Sequence, residues 1–188
     1  MKLLLQEIDI PFLQHRVGLH RDERSYKSLF LFFHKDLLRF AFSIVKSQEA
    51  SEEIVSDVMM KLWSLREGIL QISNLKLYLF QAIKNTSLNY LSRNQNYTSW
   101  DIEHVSIQPN LGVYDPEEEM LQEELLGKIA AAINELPPKC QMVYKLVRED
   151  GFSYKEVAEI MSISENTVDR HLNNALHKLT KAISTYVQ

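Results

Sequence analysis

Side chains with hydrogen-bonding groups suited to base edges cluster near the carboxyl end of the chain. In the major groove of DNA, arginine can bind guanine through two hydrogen bonds, and asparagine can bind adenine in the same way. An aspartate can accept a hydrogen bond from cytosine N4, and a lysine can hold a phosphate. The cluster comprises Asn166, Thr167, Asp169, Arg170, His171, Asn174 and Lys178. Its composition predicts a surface that reads duplex DNA.

The residues around this cluster predict a helix-turn-helix that would present it to a major groove. Ser153 and Glu156 have the spacing of a capping box, which begins a short helix. A tight turn at residues 161–163 follows, and Ser164 caps a second, longer helix whose first residues enter the groove in such units. Any pair of packed helices has this outline. The cap, the small Ala158 where the helices cross and the polar face of the second helix together favour DNA binding.

A second candidate group lies in a stretch without acidic residues that runs from Gly68 to Trp100. It comprises Lys84, Asn85, Asn89 and Arg93. Asn85 and Asn89 are one helical turn apart, so they share one face of a predicted helix. Amide groups beside cations suit a base edge and its neighbouring phosphates. From the residues alone, an exposed or capping asparagine explains Asn85 better than a functional one.

Apolar residues recur mostly at helical spacing, and the 188 residues include only 5 glycines and 5 prolines. Turn-forming residues replace this pattern between residues 92 and 116, and an acidic helix start follows. We therefore predict an all-α fold with two small helical domains. The predicted domains are residues 25–95 and 117–188, joined by a flexible linker at residues 96–116 and preceded by an N-terminal extension at residues 1–24.

The chain lacks the residues that several classes of function require. The single cysteine, Cys140, excludes an internal disulfide and a cysteine-rich zinc site, and the six histidines have no ligand spacing. No phosphate loop, nucleophile elbow or paired metal-binding carboxylates can be assembled. We expect no cofactor, no metal, no small-molecule substrate and no enzymatic activity. Glu7 and Asp9 come too early for a signal peptide, which predicts a cytoplasmic protein without direct membrane insertion.

Two blocks of the sequence, in this order, resemble the extracytoplasmic-function sigma factors of the sigma-70 family. Residues Glu49 to Trp63 resemble the helix of region two, and Leu79 to Arg93 resemble the promoter-melting helix that follows it. Leu136 to Cys140 and the predicted helix-turn-helix resemble region four. The resemblance covers nearly everything from about Ser25 onward and implies a non-enzymatic subunit that steers RNA polymerase to promoters.

The resemblance implies a role for each group of residues. Core RNA polymerase would dock on Ser56, Asp57 and Met60, whereas Ile54, Val58 and Trp63 would belong to the core of the domain. A flipped base of the minus-ten promoter element would be captured by the second candidate group, with Asn85 at the pocket. The loop from Arg66 to Ser73 would line that pocket.

The helix-turn-helix would read the minus-thirty-five element through the first cluster. Asp169 departs from the basic or small residue that is common at this position in the family, which leaves the individual base contacts open. The net charge of −4 indicates weak DNA affinity for the chain alone, so the polymerase would supply much of the binding energy. The resemblance also implies an anti-sigma factor partner, which in this family is often a membrane protein.

Two other interpretations remain open at this point. A stand-alone helix-turn-helix regulator that binds DNA as a dimer would need a dimer interface and a ligand pocket, which the first domain does not suggest. A helical adaptor that binds only proteins would have no use for Arg170 or Asn85. Residues 1–24 are not explained by the family core, and we expect them to be a flexible extension.

Overall fold

The computed structural model describes residues 8–94, 127, 129 and 131–184. Every regular element in these ranges is helical, and the chain divides into two compact units whose main boundary falls between Tyr90 and Leu91. The prediction of an all-α fold with two small helical domains is confirmed. The predicted linker at residues 96–116 lies outside the described residues.

Within residues 8–94, the first unit is built from four α-helices and one 3₁₀ helix. The α-helices are α1 (Ile10–His20), α2 (Glu23–Val45), α3 (Gln48–Ser64) and α4 (Leu75–Asn94), and the 3₁₀ helix spans Arg66–Gln71 between α3 and α4. Residues three or four apart on α2, α3 and α4 turn inward and form the core. This core includes Leu29, Phe33, Leu37, Phe40, Ile54, Val58, Leu62, Leu79, Phe80 and Ile83. The rings of Phe40 and Phe80 lie 4.9 Å apart, so α2 and α4 meet at the centre.

Two helix starts show how local side chains set the ends of these elements. Ser47 caps α3 by accepting a hydrogen bond from the Ala50 amide at 3.2 Å. Ser51, one turn later, is buried, and its hydroxyl donates to the Ser47 carbonyl. The side chain of Asn74 accepts a hydrogen bond from the Leu77 amide at 3.0 Å, just before α4 begins.

The N-terminal segment is ordered where the structure describes it. Residues 10–20 form α1, which Asp9 caps by accepting from the Phe12 amide at 2.9 Å. Gln14, Val17 and Gly18 on this helix are buried. The expectation of a flexible extension was therefore wrong for residues 10–20. The sequence concealed this because the buried face of α1 is short and includes the polar Gln14.

Within residues 138–184, the second unit contains three α-helices and one π-helical turn. These are α5 (Pro138–Tyr144), the π-helical turn Lys145–Glu149, α6 (Tyr154–Met161) and α7 (Glu165–Ser184). Residues 131–134 before α5 are also helical, and Pro138 begins α5, where proline is tolerated because the first helical amide needs no partner. One apolar cluster joins this segment to α5 and α7, and its buried members are Ala132, Ile133, Leu136, Cys140, Ala175 and Leu179.

A capping box begins α6, as predicted. The Glu156 amide donates to the Ser153 hydroxyl at 3.3 Å, and the Glu156 carboxylate accepts from the Ser153 amide at 2.8 Å. Gly151 precedes it with φ +72°, a left-handed conformation that glycine adopts without strain. The short turn after α6 ends at Ser164, whose hydroxyl accepts from the Thr167 amide at the start of α7.

Candidate nucleic-acid interface

The first cluster of candidate residues lies on α7, the second helix of the helix-turn-helix. Its buried side consists of Val168, Leu172, Ala175 and Leu179, which pack into the second unit. The opposite side is exposed and polar, because the remaining positions of each turn point away from the core. The predicted residues on the exposed side are Asn166, Asp169, Arg170, Asn174 and Lys178. The structure therefore brings these five side chains to one face.

The other two predicted residues of this cluster are half-buried. The Thr167 hydroxyl lies 2.8 Å from the Ser164 hydroxyl, so it belongs to the cap of α7. His171 turns toward α5, where its Nδ1 lies 3.3 Å from Sγ of Cys140. Burial lowers the pKa of His171, and the positive charges of Arg170 and Lys139 lower it further. Thr167 and His171 therefore contribute to the packing and capping of α7 more than to its exposed face.

Asp169 has a partner within the same helix. Its Oδ2 accepts a hydrogen bond from Nδ2 of Asn173 at 3.0 Å, one turn along α7. Asn173 is itself exposed, and its amide is bonded to this carboxylate within the helix. The pair fixes the direction of the carboxylate on the exposed face.

The second group of candidate residues lies on α4. Asn85, Asn89 and Arg93 are exposed and follow one another at intervals of one turn, so they line one side of the helix. Ile83 and Ser87 are buried. Lys84 is half-buried, and this burial lowers its pKa. The structure therefore places the two asparagine amides and Arg93 together, with Lys84 beside them in sequence but less accessible.

The predicted docking residues lie on the exposed side of α3. Ser56, Asp57 and Met60 are exposed, and 66% of the Met60 side chain is accessible. Ile54 and Val58 are buried, as expected. Trp63 is only half-buried, which corrects its assignment to the core. Its ring contacts that of Tyr26 at a centroid distance of 4.8 Å and a tilt of 55°, and the guanidinium of Arg21 lies over it at 3.9 Å.

Two family models match the chain: sigma-70 region 2 at residues 29–97 and sigma-70 region 4 at residues 126–179. The chain belongs to the sigma-70 family. The region 2 match begins within α2 and contains α3, the 3₁₀ helix and α4, whereas α1 lies outside it. The region 4 match contains α5, α6 and most of α7.

The relatives of this chain include extracytoplasmic-function sigma factors, and the chain is a sigma factor of this type. It is 24% identical over 166 residues to the extracytoplasmic-function sigma factor SigX of Bacillus subtilis, covering 85% of this chain and 84% of SigX. It is 27% identical over 138 residues to the sigma-E factor of Haemophilus influenzae, covering 70% of this chain and 73% of that protein. Among solved structures, the sigma factor RpoE of Bartonella quintana, in complex with the anti-sigma factor NepR, matches with a TM-score of 0.58. That comparison has 25% identity and covers 86% of this chain and 98% of RpoE.

Within residues 8–94 and the described part of the second unit, no three His, Cys, Asp or Glu side chains come close enough to hold a metal ion. The helices in those ranges include none that is long and apolar enough to cross a membrane. The sequence did not single out Leu31 and Phe32 on α2, which are large, apolar and exposed. Their position off the buried stripe of α2 was the available signal.

Proposed function

We propose that this sigma factor directs core RNA polymerase to promoters by holding two DNA elements with two separate helical faces. The observation that carries the proposal is the presence of two polar faces in one chain. One lies on α4 within the region 2 match and the other on α7 within the region 4 match. Because a sigma factor acts together with the polymerase, the proposed location is the cytoplasm, and the proposed role is non-enzymatic.

At the minus-ten element, α4 would receive an unstacked base of the separated strand. Asn85 and Asn89 present amides that can both donate and accept, which suits the edge of a single base. Flipping a base costs a few kcal/mol, so its edge needs partners that offset the lost pairing. Arg93 is placed to bind the phosphate chain, with Lys84 adding a second positive charge.

At the minus-thirty-five element, the exposed face of α7 would enter the major groove. Arg170, Asn166 and Asn174 offer contacts to base edges, and Lys178 lies farther along the helix, where phosphates pass. The carboxylate of Asp169, held by Asn173, repels phosphate but can accept from cytosine N4. Thr167 and His171 would hold the helix start and its supporting side in place.

Core polymerase would dock on α3 through Ser56, Asp57 and Met60. Met60 supplies the apolar anchor, because a large exposed hydrophobic side chain gains most from burial in a protein interface. Leu31 and Phe32 on α2 are additional candidates for the same reason.

An anti-sigma factor that covers the docking surface would keep this sigma factor inactive until it is released. The support comes from RpoE of Bartonella quintana, which was solved bound to the anti-sigma factor NepR. An anti-sigma factor bound to the exposed apolar side chains would prevent the polymerase from binding the same side chains. Co-purification of the chain from its own cells, with Met60→Asp as the matched variant, tests this. We expect the variant to lose both partners, and retention of both would contradict a shared surface.

The direct test of the proposed function is run-off transcription with core polymerase and this chain, followed by sequencing of the transcript starts. We expect starts at promoters that core polymerase alone does not use. Asn85→Ala and Arg170→Ala should each reduce initiation, because losing a bidentate base contact costs about 1–3 kcal/mol. Asn134→Ala and Arg148→Ala serve as matched controls, since both positions are exposed and lie off the two proposed faces.

The same experiment separates the proposal from its alternatives. Polymerase that initiates identically with and without the chain would contradict the proposed function. Tight, palindrome-dependent binding to duplex DNA without polymerase would favour a stand-alone regulator. Unchanged transcription in both Asn85→Ala and Arg170→Ala would favour a helical adaptor.

A further inference from the structure

Helix α1, which lies outside the region 2 match, packs against the 3₁₀ helix Arg66–Gln71. The side-chain amide of Gln14 makes the central contact. Its Nε2 donates one hydrogen bond to the carbonyl of Ile69 and another to the carbonyl of Ile72, both at 3.1 Å. An amide nitrogen has two hydrogens, so both are used. Gln14 is only 8% exposed, so its amide nitrogen is hydrogen-bonded to this loop instead of to solvent.

Gly18, one turn later on α1, permits the close approach. A Cβ atom at this position would lie 2.9 Å from Cγ2 of Ile69 and 3.0 Å from Leu70, closer than side chains pack. Ile69 is fully buried beneath the helix. The backbone of α1 therefore rests directly on the loop, and a larger residue would push the two apart.

The end of α1 also contacts the last turn of α3, from which the chain enters the loop. Arg21 ends the helix in a left-handed conformation, and its Nη1 donates to the carbonyl of Trp63 at 2.6 Å. The guanidinium also covers the Trp63 ring at 3.9 Å. Trp63 is the penultimate residue of α3, so α1 binds both the chain entering the loop and the loop itself.

We infer that α1 is a positioning element that sets the shape of the loop at residues 66–72, and with it the base preference of the minus-ten pocket. The inference rests on the proposed function, in which α4 receives the captured base, and on the family resemblance, which implies that this loop lines the pocket. A six-residue 3₁₀ helix has weak internal hydrogen bonds, so its shape depends on what it packs against. Gln14 fixes two of its carbonyls, and Gly18 fixes its distance from α1.

The test compares Gln14→Leu and Gly18→Ala with the unchanged chain, each assembled with core polymerase. Leucine keeps the volume of Gln14 but cannot donate to either carbonyl, whereas alanine at residue 18 shifts the loop only slightly. His15→Leu, on the exposed side of the same helix, is the matched control. The probes are four fork-junction DNAs that differ only in the flipped base, at the position found from the mapped transcript starts.

We expect Gln14→Leu to reduce the preference for the best base over the others by about tenfold, which corresponds to the loss of well-formed polar contacts. Gly18→Ala should change the preference in the same direction by a smaller factor. Affinity for core polymerase and for minus-thirty-five duplex should stay the same, which a general loss of folding would not allow. If Gln14→Leu does not fold, Gly18→Ala alone decides the result.

The outcomes separate this inference from the proposed function. An unchanged base preference in the folded α1 variants, with Asn85→Ala still reducing capture, would overturn the role of α1 and leave the pocket in place. If Asn85→Ala also leaves base capture unchanged, the role of α1 and the proposed minus-ten pocket are both overturned. A changed preference in His15→Leu equal to that in Gln14→Leu would also overturn the role assigned to the Gln14 contacts.

Discussion

Sγ of Cys140 on α5 lies 3.3 Å from Nδ1 of His171 on α7, and this contact joins the two helices. Burial lowers the pKa of His171 from its ordinary 6.5, and the charges of Arg170 and Lys139 act in the same direction. The imidazole is therefore neutral in the folded chain at neutral pH. In that state Nδ1 can accept from the thiol.

The lowered pKa of His171 predicts that mild acid destabilises the second unit. The unfolded chain takes up a proton on this residue near 6.5, whereas the folded chain does so only at lower pH. The unfolded state thus binds more protons in this window, so stability falls as the pH drops below 6.5. Thermal melting across this range measures the effect, and His171→Asn should flatten the profile. An equally steep profile in the variant would contradict the assignment.

Cys140 should resist alkylation in the folded chain. Its side chain is buried in the apolar cluster of the second unit, and this burial raises the pKa of the thiol. Alkylation requires an accessible thiolate, so both effects slow the reaction. Iodoacetamide labelling followed by mass spectrometry at increasing urea concentrations should track unfolding. Rapid labelling without denaturant would show that the thiol is accessible.

The buried ammonium of Lys145 predicts a large loss of stability on its removal. Its side chain is 1% exposed, with Nζ 3.2 Å from the Glu149 carboxylate and 3.6 Å from that of the buried Asp150. Lys145→Met takes this cation from a buried carboxylate, which costs about 3–5 kcal/mol in such pairs. Urea unfolding measures the change, and Lys145→Met combined with Asp150→Asn should recover part of it. A double variant no more stable than the single one would rule out the ion pair as the cause.

The capping box of α6 gives a smaller, local prediction. Ser153→Ala removes the acceptor for the Glu156 amide and should lower the free energy of unfolding by about 1 kcal/mol. Lys155→Ala, at an exposed position in the first turn of the same helix, should have little effect. Equal losses in the two variants would indicate that the cap contributes nothing beyond helix propensity.

The capping box could be predicted from the sequence because its two partners are three residues apart. The same holds for the buried and exposed faces of α7 and for the asparagine face of α4, which follow from helical periodicity. Each of these features depends on spacing within one helix. The positions of Asn85 and Arg170 on exposed faces were predicted for that reason, whereas their binding roles depend on the resemblance and remain predictions.

The contacts of α1 could not be predicted, because Gln14 binds carbonyls 55 and 58 residues away. A glutamine in a short amphipathic segment reads as a surface residue until its partner is known. The burial of Lys145 is hidden in the same way, since lysine is rarely buried and its environment is set by the π-helical turn. Long-range packing decided both positions, and spacing within one helix carries no information about it.

The carboxylate of Asp169 predicts an effect on base selectivity at the minus-thirty-five element. Its carboxylate is fixed by Asn173 on the exposed face of α7, where it disfavours phosphate and can select cytosine. We expect Asp169→Ala to bind unrelated duplexes more tightly in the holoenzyme, since a repulsive charge is gone. Discrimination at one base pair should fall by about 1–3 kcal/mol. Competition binding with duplexes substituted at each position measures both effects. Asn173→Ala releases the carboxylate but keeps its charge, so it should weaken discrimination without raising general affinity. If Asp169→Ala leaves both quantities unchanged, the carboxylate faces solvent in the complex and α7 enters the groove along a different edge.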